Sequence, residues 1–330
     1  MAAGSQREIA LVTRRLCRLP RPPAPGPGAH RSATGKSGVR LGEAGQGFCQ
    51  TLFAAECADS TSLPRSPTSI TAITDDSDQR TTPINVPVTI AFLFLLVDRL
   101  LHEPLWRSWL NEARSIVLFH ATKPQEIASD WIRARMVPWS IPSLHGEIGM
   151  VKAQLGLLRE ALKTESVQRF VFVSPSCCPI KRFDRAYALL RDDTRSWVKP
   201  VLQDFSYRYL PHCDRTVISP EHFWKSESWI TLNREHAEIV ASDDITAAFG
   251  AAFAPNEHYV TTRLSMAGIH SAAHFTGQDS TDCDWERGRP YLYHALTRED
   301  ILRLRNSPCI LARKFAEDSN IQERFGEIVD

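Results

Sequence analysis

The chain has 330 residues, of which 43% are hydrophobic and 23% are charged, and its formal net charge is +1. This length and composition are sufficient for one large or two ordinary globular domains with a real core. A net charge so close to zero gives no support for a nucleic-acid or anionic-membrane partner. The eight cysteines include no Cys-x-x-Cys pair, which argues against a zinc site and leaves both reduced thiols and disulfides open.

Residues 1–85 differ in composition from the rest of the chain. The first 40 are rich in Arg, Pro, Gly and Ala, and 60–83 are rich in Ser and Thr, without helical or strand periodicity. This composition predicts a disordered extension over 1–85, followed by one globular domain over 86–330. The Arg-rich first residues have two open interpretations, a transit-like segment or a tail with no addressing role.

No apolar run in the sequence is long enough to cross a bilayer. The longest extends from Val88 to Val97 and is bounded by Pro87 and Asp98. Because a transmembrane helix needs about 20 apolar residues, this run is better interpreted as a buried strand.

Strand-like and helix-like segments alternate along the globular part. The predicted strands cover 88–97, 115–120, 136–139, 170–173, 229–232 and 307–315. The predicted helices cover 104–112, 146–162, 184–190, 234–241 and about 297–304, the last two beginning at the cap residues Asn233 and Thr297. Strands and helices in this order predict an α/β fold built on a parallel sheet with right-handed crossovers.

The strand Phe170–Val173 has the strongest functional pattern. Its apolar, β-branched run predicts a buried central strand, and the polar turn Ser174-Pro175-Ser176 follows it directly. Strand, polar loop and helix is the arrangement by which α/β enzymes present a ligand site at the carboxyl end of a sheet. The alternative is an ordinary buried strand and loop without a ligand.

Six short motifs occur in the globular part in a recognisable order. They are Ile90-Ala-Phe-Leu-Phe94, Ser174-x-Ser-Cys-x-Pro179, Trp224-Lys225 with Trp229 and Arg234, Pro255-Asn-Glu-His-Tyr259, Asp284-Trp-Glu-Arg-Gly288 and Ala312-Arg-Lys-Phe315. Together they resemble the core-2/I-branching β-1,6-N-acetylglucosaminyltransferase family, glycosyltransferase family 14-like, and especially its plant-type members. The resemblance covers about 88–317.

The resemblance implies a fold and a reaction. The fold would be a GT-A-like, Rossmann-type mixed sheet flanked by helices in a single catalytic domain. The reaction would be inverting transfer of N-acetylglucosamine, xylose or glucuronic acid from a UDP-sugar to a hydroxyl of a glycan or glycoprotein. The family is implied to need no metal or other cofactor. Its members are usually Golgi proteins with an amino-terminal membrane anchor.

Glu257 matches the glutamate that acts as catalytic base in the family. An inverting transfer needs a base that takes the acceptor proton as the hydroxyl attacks the anomeric carbon. The alternative is a first-turn glutamate that stabilises the following helix. Asn256 stands where the family usually has an aspartate, which removes a charge beside the base.

Arg298 and Lys314 match the two basic side chains that the family is implied to use on the diphosphate in place of a metal, and Arg313 is a substitute candidate. Fixed cations give charge-assisted hydrogen bonds to phosphate oxygens. The alternatives are a solvated helix cation at 298 and a surface strand end at 314. Two Asp-x-Asp pairs are present, but one, at 76 and 78, lies in the predicted extension. The other, at 282 and 284, follows the proposed base.

The remaining site residues are also carried by the resemblance. His120, Thr122, His145 and Ser174 are expected on the UDP side, although Thr122 stands at a usual aspartate and His145 at a usual aromatic. Trp285 is expected to stack on the acceptor sugar. His120 has the alternative of a packed loop histidine, and Trp285 that of a core tryptophan.

A second hypothesis follows from the departures at 122, 145 and 256. It describes a catalytically silent relative that binds a nucleotide or glycan. A dehydrogenase or P-loop enzyme is excluded, since no strand is followed by Gly-x-Gly-x-x-Gly or a Gly-Lys-Ser/Thr loop.

Overall fold

The computed structural model describes residues 88–202, 208–209, 211–287 and 290–329. The predictions made for 1–85, including the aspartate pair at 76 and 78, therefore lie outside the described residues. None of the helices in the described ranges is long and apolar enough to cross a membrane.

The described residues form nine strands and eight α-helices. The strands are β1 (Thr89–Leu96), β2 (Ser115–Ala121), β3 (Val167–Val173), β4 (Cys178–Pro179), β5 (Val201–Leu202), β6 (Trp224–Lys225), β7 (Thr231–Asn233), β8 (Thr281–Cys283) and β9 (Leu311–Arg313). The helices are α1 (Glu103–Trp109), α2 (Asp130–Arg133), α3 (Ile148–Leu162), α4 (Phe183–Asp192), α5 (Arg234–Ser242), α6 (Tyr259–Met266), α7 (Arg298–Asn306) and α8 (Ile321–Val329).

The main sheet has the strand order β2-β1-β3-β7. The first three strands are parallel, and β7 runs antiparallel to β3, with Phe170 opposite Leu232. The predicted parallel arrangement is thus confirmed for three strands, and the antiparallel fourth makes the sheet mixed. Strand β3 lies inside the sheet, as its continuous apolar run predicts.

Strand β1 is covered on both faces, and every residue of Ile90–Leu96 is at most 6% exposed. Leu93 and its neighbours on one face pack in the same cluster as helix α3, whereas Phe92 and Phe94 pack on the other face with Trp106 of α1. A strand with helices on both faces needs no polar alternation. This explains why it reads as one uninterrupted apolar run.

Helix α1 fixes the loop that follows β3. The Nε1 of Trp106 donates to the carbonyl oxygen of Cys177 at 3.0 Å, and the Nε1 of Trp109 donates to that of Lys181 at 2.7 Å. Both indoles are also packed edge-on against Phe92. The polar turn at the carboxyl end of the sheet therefore rests on a rigid aromatic layer.

The predicted strand at 136–139 is wrong. Only Met136 pairs, in an isolated parallel bridge with Phe119, and the amide of Val137 donates to the Phe119 carbonyl at 2.9 Å. Pro138 has no amide hydrogen to continue the ladder.

Both predicted helix caps are confirmed. The side chain of Asn233 accepts from the amide of His236 at 2.8 Å at the start of α5. Thr297 and Asp300 form a reciprocal capping box at the start of α7.

A small second sheet, β4-β9-β8, joins distant parts of the chain. Cys178 lies opposite Ala312, and Asp282 lies beside Ala312 on the other side. The amide of Phe315 also donates to the carbonyl oxygen of Ser176 at 3.0 Å. These contacts bring Arg313, the last residue of β9, and Lys314, which follows it, next to the polar turn after β3.

Candidate active site

One cavity of about 80 Å³ contains two carboxylates, two basic side chains and two tryptophans. It is lined by His145, Met150, Glu227, Ser228, Trp229, Asn256, Glu257, Trp285, Pro290, Arg313 and Lys314. Two larger cavities, of about 490 and 340 Å³, lie elsewhere and include none of the predicted site residues. The smaller cavity is therefore the candidate active site, because Glu257, Trp285 and Lys314 line it.

Glu257 is placed by a constrained turn. Ala254 has a left-handed backbone with φ of 51°, and Pro255–Glu257 then form a single 3₁₀ turn ahead of α6. A left-handed conformation is uncommon for a residue with a side chain. The carbonyl oxygen of Glu257 accepts from the amide of Ser226 at 2.8 Å. These constraints fix the backbone that carries the carboxylate.

Two cations hold the Glu257 carboxylate. Its Oε2 accepts from Nη1 of Arg208 at 2.9 Å, and the Nζ of Lys225 lies 3.6 Å from the same oxygen. All three side chains are partly buried, so these charge-assisted contacts are less screened than surface pairs. The carboxylate is thereby fixed in orientation at the cavity wall.

His258 supports this arrangement as a neutral ring. Burial lowers its pKa to about 4. Its Nδ1 lies 3.0 Å from the carbonyl oxygen of Trp224, which can only accept, so Nδ1 carries the proton. Its Nε2, 3.3 Å from Nη1 of Arg208, is then the acceptor. The histidine thus orients the arginine that holds Glu257.

The side chain of Asn256 is hydrogen-bonded to another segment of the protein. Its Nδ2 donates to Oγ of Ser228 at 2.6 Å in a buried contact. This bond connects the turn that carries Glu257 to the segment between β6 and β7. An aspartate at this position would not have the amide hydrogens for that donation.

Arg313 and Lys314 are the cations of the cavity. Neither makes an ion pair with a described residue, and the Nε of Arg313 is buried without a hydrogen-bond partner. The guanidinium carbon of Arg313 lies 5.4 Å from the Trp229 ring centroid. Burial, followed by the charge of Arg313, lowers the pKa of Lys314. Two partly buried, unpaired cations form an environment that favours an anionic ligand.

Arg298 is not among the residues that line this cavity. It is the first residue of α7 and is exposed to solvent. The structure therefore brings Lys314 and the substitute candidate Arg313 together with Glu257, whereas the expected phosphate contact from Arg298 has no counterpart in the cavity lining.

The residues expected on the UDP side lie in two settings. His120 is fully buried, its Nε2 accepts from the amide of Ile141 at 2.9 Å, and burial lowers its pKa. Thr122 contacts Ser143, with 2.6 Å between the two hydroxyl oxygens. Both residues thus hold the loop that leads to His145, which is exposed and lines the cavity.

Ser174 is buried and is not among the residues that line the cavity. Its Oγ lies 3.0 Å from Sγ of Cys177 and 3.3 Å from Oγ of Ser176. In this arrangement Ser174 stabilises the polar turn. Its expected contact with UDP stays a prediction.

Trp285 is 52% exposed and lines the cavity, so the core alternative does not describe it. Its segment is held by Arg287, whose Nε lies 3.0 Å from Asp284 and whose Nη2 donates to Asp300 at 2.6 Å. The Arg287 guanidinium also lies 3.9 Å from the ring centroid of Tyr291. This network presents the indole at the edge of the cavity.

Sequence reasoning missed three charged groups of the site. Arg208 and Lys225 contact the Glu257 carboxylate, and Glu227 lines the cavity. Lys225 and Glu227 lie in the segment quoted for the Trp-Lys…Trp motif, but no spacing rule indicated their roles. Arg208 is 49 residues from Glu257 in sequence, and nothing local connects them.

The described residues thus combine a mixed α/β sheet with a cavity lined by two carboxylates and two cations. The chain belongs to the core-2/I-branching enzyme family, whose model matches residues 90–305. The mixed α/β sheet of the described residues is consistent with the GT-A-like fold of this family.

The chain is also similar to a rice protein. It is 28% identical over 232 residues to Glycosyltransferase BC10 of Oryza sativa subsp. japonica. The match covers 60% of this chain and 57% of that relative, so the chain spans little more than half of the relative's length.

Proposed function

We propose that the protein is an inverting, metal-independent glycosyltransferase that moves a sugar from a UDP-sugar to a carbohydrate hydroxyl. The observation that carries the proposal is the shared cavity of Glu257, Trp285, Arg313 and Lys314. N-acetylglucosamine, xylose and glucuronic acid are the candidate donor sugars.

In the proposed step Glu257 is the base. The acceptor oxygen attacks the anomeric carbon, the bond from that carbon to the diphosphate oxygen breaks, and Oε1 or Oε2 of Glu257 takes the hydroxyl proton. A single displacement inverts the anomeric configuration. Arg208 and Lys225 keep the carboxylate oriented during this step.

The leaving group is UDP, which departs with the electron pair of the broken bond. Lys314 and Arg313 are the proposed contacts for its diphosphate, because both are cationic, line the cavity and have no ion-pair partner among the described residues. Preorganised positive charge stabilises a leaving group as its negative charge develops.

The remaining Asp-x-Asp pair supports the choice of basic side chains over a metal. Asp282 lies 2.8 Å from Arg303 and accepts from Ser307 at 2.6 Å, and Asp284 lies 3.0 Å from Arg287. A metal at this pair would have to displace arginines that already neutralise both carboxylates.

Two measurements test the proposal. Glu257→Gln should lower the transfer rate by about 100-fold or more while leaving UDP affinity nearly unchanged. Wild-type transfer should persist in excess EDTA, and a complete loss that added metal restores would contradict metal independence. Turnover retained in Glu257→Gln would remove the role of base.

The silent relative is the competing outcome. The ion pairs that occupy the Glu257 carboxylate are the observation in its favour. Calorimetric titration with UDP, followed by a screen of the three UDP-sugars for hydrolysis and transfer, separates the two functions. Binding without turnover for every donor would favour the silent relative.

A further inference from the structure

We propose that Glu227 binds a hydroxyl of the acceptor and selects an uncharged sugar over a uronic acid in this cavity. The inference rests on the proposed function, because it assigns a residue to the acceptor of that same transfer. Neither the motifs nor the role of Glu257 accounts for this second carboxylate.

The carboxylate of Glu227 is partly buried and unpaired. It lines the cavity with Arg313 and Lys314, yet it forms no hydrogen bond or ion pair with a described residue. Burial raises its pKa, an effect that the positive charge of Lys225 opposes. A carboxylate withdrawn from water is costly unless it accepts hydrogen bonds, and sugar hydroxyls are suitable donors.

The backbone on either side of Glu227 is fixed to the turn that carries Glu257. On one side the amide of Ser226 donates to the Glu257 carbonyl, and on the other side Oγ of Ser228 accepts from Asn256. The two carboxylates therefore belong to one rigid unit. A sugar ring bound through one hydroxyl at Glu227 would keep a neighbouring hydroxyl in a constant orientation to Glu257.

The pair of carboxylates also defines the class of acceptor. When UDP is bound, its diphosphate offsets the charges of Arg313 and Lys314. A uronic acid would then bring a further carboxylate beside Glu227, which has no ion-pair partner among the described residues, and like charges repel where water is excluded. A neutral sugar brings only hydroxyl groups. Trp285 lines the same cavity and provides an apolar face for either ring.

The test uses the full chain loaded with UDP. Calorimetry and saturation-transfer NMR would measure binding of methyl β-D-glucopyranoside, galactopyranoside and xylopyranoside, and of methyl β-D-glucuronide, which differs from the glucoside only at C6. We expect the wild type to bind at least one neutral glycoside about tenfold more tightly than the glucuronide. Glu227→Gln should weaken binding of that neutral glycoside by about fivefold, and it should lower the ratio of its affinity to that of the glucuronide to about twofold. The affinity for UDP should not change.

Two variants control for indirect effects. Glu227→Asp keeps the charge and should retain the preference for neutral sugars, and Glu235→Gln, at an exposed helix position, should resemble the wild type. Equal binding of the neutral glycoside by wild type and Glu227→Gln would overturn the inference. So would a UDP-loaded wild type that binds no glycoside or shows no preference. Failure of the wild type to bind UDP would instead overturn the proposed function.

Discussion

Nη1 of Arg208 lies between two acceptors, 2.9 Å from Oε2 of Glu257 and 3.3 Å from Nε2 of His258. The buried histidine is neutral and receives its orientation from the Trp224 carbonyl, so it directs the guanidinium toward the glutamate. The carboxylate of the proposed base is thus positioned by a chain of three hydrogen bonds.

Arg208→Gln is the first prediction. Without the guanidinium, the 3.6 Å contact with Lys225 is the one ion pair that the Glu257 carboxylate keeps among the described residues, and the carboxylate loses its fixed orientation. We expect kcat to fall by about tenfold or more, because misplacing a base by about 1 Å is costly, with little change in UDP affinity. Steady-state kinetics with UDP titration would measure both. Arg215→Gln, at an exposed position, is the control, and an equal loss there would contradict this role.

The second prediction distinguishes the contribution of Lys314 to UDP binding from that of Arg298. Lys314→Met should weaken UDP binding by about tenfold, since a lost charge-assisted contact is worth roughly 1.4 kcal/mol or more. Arg298→Gln should change it by less than about twofold, because Arg298 is exposed and does not line the cavity. Calorimetry at two salt concentrations would measure both affinities. If Arg298→Gln lowered the affinity for UDP by more than about twofold, the result would support the phosphate contact that the motif implied for Arg298.

The difference between these two cations illustrates what the sequence could predict. Periodicity and caps were sufficient for β1, β3 and α7, because burial on both faces and local hydrogen bonds leave direct signals in the sequence. Local motifs likewise indicated Glu257 and Lys314. Arg208 and Glu227 joined the site only through tertiary pairing, for which no alternation or spacing exists. The predicted strand at 136–139 failed because its apolar residues pack without forming a ladder.

The third prediction concerns the stability of a variant at Gly149. A Cβ added to Gly149 would lie 1.9 Å from the carbonyl oxygen of Pro142, and a backbone atom cannot move aside as a flexible side chain does. Gly149→Ala should therefore shift the loop that carries Ser143 and His145 and cost about 1–3 kcal/mol of unfolding free energy. Urea denaturation would measure this cost.

A matched substitution on the same helix tests the cause. Lys152→Ala lies at an exposed position of α3 and should change stability by less than about 0.5 kcal/mol. If Gly149→Ala were as stable as the wild type, the close approach of the loop to the helix would be contradicted.

The fourth prediction concerns pH and His236. This ring is 1% exposed, its Nδ1 lies 2.7 Å from Oγ of Ser196, and burial lowers its pKa from 6.5 to about 4. The amide of Asn233 donates to the same hydroxyl oxygen, so the hydroxyl hydrogen is free to point at the ring nitrogen. The folded state thus favours the neutral ring.

The direction in which stability changes with pH follows from the difference in proton binding between the folded and unfolded chains. Between pH 6.5 and 4 the unfolded chain binds a proton at His236 that the folded chain does not, so stability is fully present above 6.5 and is lost as pH falls toward 4. Between pH 7 and 5 the loss from this group is about 2 kcal/mol. Urea denaturation at both pH values should therefore show a smaller decrease in His236→Gln than in the wild type. His212→Gln, at an exposed position, should retain the wild-type decrease. An unchanged pH dependence in His236→Gln would show that this ring has the same pKa in the folded and unfolded states, contrary to the prediction.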